Sequence, residues 1–391
     1  MLAAATMAAG CGGDDGAQDG PGGTDALSAP AVKLRADLSS ALAARAWLTA
    51  FSVRTTLIDG TTSPTALAAR RTLDEGSEAL AAQLADAFGR KTGTRALALL
   101  RRQDKLWVAI ARARAADNSV ARTVADVSLD ANRTALAKLL ATDELTAGEL
   151  GEELEPADTS LTTAVDAVAA GAARAPAQTA VAAARATRPA AALALEAARR
   201  RPKITGGATS PAAELAALAA TAFTDDAYAQ AATDAVVVAG ATRGPRLSAA
   251  TATLEETTDT LGQVVASVYG EDAGERFAEL WSAHTVAFTD YARAKVNADA
   301  VVAQRALVAL RRFRAKTLRL LDELDPEGPR RRLSSALAKH VDTATAAIRA
   351  QATDSPKFGP RLLAAADAAR AVGRALAVRF ARQFPERLTA G

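Results

Sequence analysis

The chain has 391 residues, enough for two or three domains. Hydrophobic residues make up 49% of it but aromatics only 4%, so a core has to be built largely from Ala, Leu and Val. With 47 basic and 44 acidic residues the formal net charge is only +3. The two densest basic runs, Arg199-Arg200-Arg201 and Arg330-Arg331-Arg332, carry no interleaved aromatics, so the electrostatic footprint of a nucleic-acid-binding protein is missing. One cysteine excludes an internal disulfide framework and any cysteine-rich metal site. Arg outnumbers Lys by 38 to 9. Together with the Ala excess, this reads as the coding bias of a GC-rich, actinobacterial genome.

The chain opens on a short apolar run that ends in Ala8-Ala9-Gly10-Cys11, and Cys11 is the single cysteine. This run resembles the lipobox of bacterial lipoproteins, in which a signal peptide is cleaved before the cysteine and lipid is attached to its sulfur. The resemblance implies a leader over residues 1–11 and palmitate-type acylation at Cys11. It also implies an extracytoplasmic protein held on the cell membrane by its lipid. At roughly 0.8 kcal/mol per buried methylene, more than one acyl chain gives stable attachment. Residues 12–30 are rich in Gly, Asp, Ser and Pro and read as a flexible tether. No later apolar run reaches the roughly 18 residues needed to span a bilayer.

Beyond the tether, Ala and Leu favour helix, and no stretch alternates as a strand would. Ser63-Pro64 opens a helix that Gly89 closes, and Asn118-Ser119 separates the next two. Gly244-Pro245, Asp325-Pro326, Gly359-Pro360 and Pro385 mark boundaries in the second half. Twelve helices are predicted, and the fold class is all-α. The two halves also match. Leu73 to Gly89 aligns with Leu254 to Gly270 at a constant offset of 181, and Leu97 to Arg114 with Ala278 to Lys295, placing Trp107 on Phe288. Pro176 and Pro202 correspond to Pro360 and Pro385. This internal duplication predicts two tandem six-helix units of antiparallel helical hairpins, residues 31–202 and 211–388, joined by a linker at 203–210. A finer period of 56 residues relates His284 and its following Asp299 to His340 and Asp354. That spacing is about one helical hairpin, which makes each copy three hairpins.

The chain has only two histidines, and each sits on an apolar stripe. Phe277, Trp281, His284, Phe288 and Tyr291 share one helix face; Leu333, Leu337, His340, Ala344 and Ile348 share another. Both imidazoles are therefore expected in the bundle interior, on different helices, with Asp290, Tyr291 or Asp342 as hydrogen-bond partners. The plainer reading is two separate core histidines. The sharper one is that His284 and His340 converge on a metal or a small ligand. Two histidines fall short of the three or four protein ligands of a zinc site, and the Glu-x-x-His signature of di-iron bundles is absent. Trp47 and Phe51 are expected in the core of the first half. No phosphate-cradling glycine loop or nucleophile elbow is present. No enzyme activity and no cofactor are expected; the expected partners are the membrane, through the lipid, and an envelope protein.

Leu280-Trp281-Ser282-Ala283-His284, Phe288-Thr289-Asp290-Tyr291, Lys339-His340-Val341 and Gln383-Phe384-Pro385-Glu386 resemble a family of secreted bacterial helical-repeat proteins. Some members are fused to copper-amine-oxidase-type N-terminal domains. The resemblance covers roughly Leu254 to Leu388 and implies an all-helical extracytoplasmic module, with no activity to carry over. The family pattern usually adds a histidine in the last helix, where this chain reads Ala364-Ala365-Ala366-Asp367-Ala368-Ala369. Gln103 stands where His284 aligns in the first half.

Overall fold

The structure is a computed structural model and describes residues 27–386 except 144, 171–174, 188, 193–209 and 242. The leader with Cys11, most of the expected tether and nearly all of the linker lie outside the described residues. Among the described residues the regular structure is helical throughout, and the fold is all-α. In chain order the helices are α1 (Pro30–Asp59), α2 (Pro64–Phe88), α3 (Arg90–Ala115), α4 (Ser119–Leu140), α5 (Ala147–Ala169) and α6 (Ala175–Ala186). They continue with α7 (Pro211–Val238), α8 (Pro245–Tyr269), α9 (Glu271–Val296), α10 (Ala300–Leu324), α11 (Arg330–Ala352) and α12 (Phe358–Gln383).

The helix starts follow local chemistry. Proline occupies the first turn of α1, α2, α7 and α8, where its missing N–H costs nothing. Ser63, Asn118, Ser210 and Asp299 accept hydrogen bonds from free first-turn N–H groups. Thr146 and Glu149 form a reciprocal capping box on α5. Gly89 and Gly270 alone connect α2 to α3 and α8 to α9, at φ +94° and +91°. Only glycine adopts that conformation without strain. Gly359-Pro360, expected as a boundary, falls in the first turn of α12, where proline is tolerated.

Two helices lie at the centre. α1 packs against α2, α6 and α7, and also touches α3 and α5; α7 packs against α1, α8, α12 and α9, and also touches α11. Neither has a polar face, because each is surrounded by other helices. Several of their buried hydroxyls bond to the preceding turn: Ser40 donates to the Ala36 carbonyl at 2.8 Å, Thr224 to Ala220 at 2.8 Å and Thr233 to Ala229 at 3.0 Å. α4 and α10 lie outside, on α3 and α5 and on α9 and α11. Of the expected tether, residues 27–30 are described, and Leu27 and Ala29 pack against a cluster of Val32, Ala36, Ala213, Ala216 and Ala220.

One buried cation organises the far end. Arg379 on α12 is fully buried, and its guanidinium donates to the Leu321 carbonyl at 2.6 Å and to the Asp325 carbonyl. Its Nε lies 3.0 Å from Asp325 Oδ2. The side chain thus caps the C-terminus of α10, where the free carbonyls attract positive charge. No helix among the described residues is long and apolar enough to cross a membrane.

Candidate functional site

Both predicted stripes face inward. Phe277, Trp281, His284, Phe288 and Tyr291 on α9 are buried, as are Leu333, Leu337, His340, Ala344 and Ile348 on α11. The structure brings the two imidazoles together, correcting the reading of two separate core histidines. Their Nε2 atoms face one another at 3.0 Å, with His284 only 1% and His340 3% exposed. The expected partners are not used: Asp290 pairs with Arg293, and the ring nitrogens meet a carbonyl and each other.

The protons follow from the contacts. His284 Nδ1 lies 2.9 Å from the Trp281 carbonyl, which can only accept, so Nδ1 carries the proton. His284 Nε2 is then an acceptor, and His340 donates to it through its own Nε2. His340 Nδ1 is left buried without a hydrogen-bond partner. Aromatic rings close the box. Phe313 stacks on His284 at 4.4 Å, Trp281 stacks on His340 at 5.6 Å, and Phe288 meets both edge-on. Burial pushes His340 down to about 4. Burial, then the neighbouring His340, holds His284 well below the ordinary imidazole value. The pair is neutral at physiological pH.

Trp281 links this box to an acidic spine that sequence reasoning missed. Its Nε1 donates to Asp226 Oδ2 at 2.8 Å, while Thr257 and Thr258 donate to Oδ1 at 3.3 and 3.2 Å. Burial nevertheless pushes Asp226 up to about 7. Two turns along α7, Asp234 accepts from Gln230 at 2.9 Å and is pushed by burial to about 8. Asp225 accepts from Trp47 Nε1 at 3.1 Å. The helix that carries these acids is buried on every side, so they show no periodicity that would mark them in the sequence.

The first half has a polar junction of its own. Gln103 donates to Asp158 Oδ1 at 3.1 Å, and Arg133 stands 3.8 Å from Asp158 Oδ2. Burial pushes Asp158 up to about 6, with Arg133 and Arg45 opposing. A cavity of about 50 Å³ lies beside these groups, enough for one or two waters. Arg45 joins Ser77 at 3.2 Å to Asp104 at 2.5 Å.

Among the described residues no group of three or more His, Cys, Asp or Glu side chains is arranged to hold a metal ion. The histidine pair supplies two nitrogens, short of the three or four protein ligands of a zinc site. Its chemistry is that of a neutral hydrogen-bonded pair in an apolar box. No family model matches the chain, and no curated protein or solved structure matches it either.

Proposed function

We propose that the chain is a lipid-anchored, extracytoplasmic helical protein with a binding or structural role at the cell envelope. The observation that carries this reading is the lone thiol at Cys11, placed at the end of an apolar run and ahead of a helical body described from Leu27 onward. Residues between them give a span that lets the body stand off the membrane. The test is Cys11→Ser: the variant is expected to leave the membrane fraction, and intact-mass measurement of the parent chain to show acylation and a missing leader. A cytosolic parent chain that keeps Met1 and carries no fatty acid would sink the proposal.

The body reads as two tandem six-helix units of antiparallel hairpins derived by duplication. Helix starts support this: Pro30, Pro64, Arg90 and Ser119 are followed 181 residues later (211 − 30) by Pro211, Pro245, Glu271 and Ala300. The neighbours support it too, since α1 and α7 are each surrounded by the corresponding helices of their own half. Trp47 also stacks on Tyr228, its counterpart at the same offset, with centroids 6.2 Å and planes 14° apart. Such a self-pairing is what a pseudo-two-fold axis between the units produces.

A second reading is favoured by the meeting of His284 and His340: a small ligand or metal taken up between the two rings. Metal analysis of the purified chain beside His284→Ala tests it. Equal metal content in the two would end it.

A further inference from the structure

α10, the outer helix of the second half, carries a row of cations that the near-balanced net charge hides. Arg305, Arg312, Lys316 and Arg319 follow one another at intervals of 7, 4 and 3, which puts all four on one helix face. All four are exposed, as is Arg311 beside them. At 1.5 Å per residue the row is about 21 Å long. α10 holds no acid before Asp322. Among the described residues no carboxylate lies within ion-pair distance of these five cations. Glu323, next on the same line, is taken by Arg276 at 2.6 Å, and Asp322 by Arg330 at 3.3 Å and Arg379 at 3.4 Å. Arg331 and Arg332, exposed at the start of α11, extend the positive charge past the end of α10.

An Arg-rich coding bias does not by itself build such a row. α4 is the outer helix of the first half, and at the offset of 181 its residues are Val124, Ala131, Ala135 and Lys138. One cation stands there against four. A bare row also carries a cost, because like charges three and four residues apart on a helix repel. No contact within the chain offsets that repulsion; anions from outside would.

We propose that this face of α10 docks on an anionic phospholipid surface, with the row seated on lipid phosphates. Two further features favour a bilayer over other polyanions. Val301, one turn before Arg305 on the same face, is 61% exposed. An apolar side chain beside cations suits the boundary between headgroups and acyl chains. The described chain also begins at the matching end of the bundle. Leu27 packs on Ala212 and Ala381, and Ala381 stands two residues from Arg379, whose guanidinium caps the C-terminus of α10. Leu27 follows Cys11 by sixteen residues, at most about 55 Å of extended chain. A membrane that holds Cys11 is therefore within reach of the whole row. This last point rests on the lipid-anchor reading, whereas the row itself does not. Each Lys or Arg brought to an anionic bilayer strengthens binding about five-fold.

The experiment is co-sedimentation of the full chain carrying Cys11→Ser, which has no thiol to acylate, with two kinds of vesicle. One is phosphatidylcholine alone and the other is equal parts phosphatidylcholine and phosphatidylglycerol. Binding is expected to the anionic vesicles only, and to be lost at high salt. Arg305→Gln with Arg312→Gln, Lys316→Gln and Arg319→Gln is expected to weaken it about fifty-fold or more. The same change at Arg71, Lys91, Arg95 and Arg102, four exposed cations of the first half, removes equal charge and is expected to weaken it less than about five-fold. Arg312→Glu, a single exposed change, is expected to cost about ten-fold or more without lowering the melting temperature. No binding to the anionic vesicles, or equal weakening by the two four-residue sets, overturns the surface. Tighter binding to a short DNA duplex than to the vesicles overturns the bilayer as its partner. The chain in this assay is unacylated, so failure here leaves the lipid anchor to its own test. A parent chain found cytosolic and without fatty acid would leave the vesicle result standing.

Discussion

His284 and His340 share a single proton between Nε2 atoms 3.0 Å apart, and no carboxylate touches either ring. Both imidazoles are neutral in this arrangement. Protonating His340 at its unpartnered Nδ1 would place a positive charge among Trp281, Phe288 and Phe313 with no counter-ion, and protonating His284 at Nε2 would set two N–H groups against each other. The nearest acid reached by the network, Asp226, lies behind the Trp281 indole.

This fixes the sign of the acid response. Both histidines have folded values depressed below the ordinary 6.5, His340 to about 4. The stability they contribute is therefore present above 6.5 and lost as pH falls through the folded value. For His340 the loss is on the order of 3 kcal/mol, spread between pH 6.5 and 4. His340→Gln keeps an N–H for His284 Nε2 but cannot titrate. Urea unfolding at pH 7 and pH 4.5 is expected to show an acid loss at least halved in the variant. An identical loss in both proteins would mean that the pair does not control it.

Asp226 titrates in the opposite sense. Burial raises its folded value from 3.8 to about 7, so its contribution is full below 3.8 and is lost as pH rises through 7. The limit of that loss is on the order of 4 kcal/mol. Asp226→Asn retains an oxygen for the Trp281 N–H and removes the buried charge, and it is expected to be more stable than the parent chain at pH 8. Asp226→Ala leaves the indole N–H and the Thr258 hydroxyl without their acceptor, while Thr257 keeps the Leu254 carbonyl at 2.9 Å; the cost is about 1–3 kcal/mol at every pH. The same stability for Asn and Ala at pH 8 would contradict the hydrogen-bond assignment.

The parts of this molecule that were legible in the sequence are those governed by spacing. The 4-3-4-3 spacing from Phe277 to Tyr291 put His284 inside, and the stripe from Leu333 to Ile348 did the same for His340. Helix ends were legible wherever one residue type sets the backbone, as at Ser63, Gly89 and Gly270. Whether the two rings meet was not legible, because it depends on the rotation of α11 against α9. The role of α7 was hidden for a different reason. A central helix has no polar side, so Asp225, Asp226 and Asp234 show no periodicity, and their partners Trp47, Trp281 and Gln230 come from three helices, one of them in the other half. Gln103 was visible as the aligned residue, but its partner Asp158 lies one position short of the residue aligned with His340 and carried no signal.

The crossing of α8 and α9 yields a prediction about packing. Gly274 is helical, and alanine at an open helical position improves stability by up to about 1 kcal/mol. At Gly148 in α5 the nearest atom to an added methyl is 3.8 Å away, so Gly148→Ala is expected to show that gain. At Gly274 the methyl would lie 2.6 Å from the Ala266 Cβ and 2.7 Å from the Gly262 carbonyl. A backbone oxygen cannot rotate aside as a side chain can, so the helices must separate. Gly274→Ala is therefore expected to destabilise by about 1–3 kcal/mol, the range for overpacking a filled contact. Chemical denaturation of the two variants beside the parent chain decides the matter. A gain at Gly274 equal to that at Gly148 would mean that α8 and α9 do not touch there.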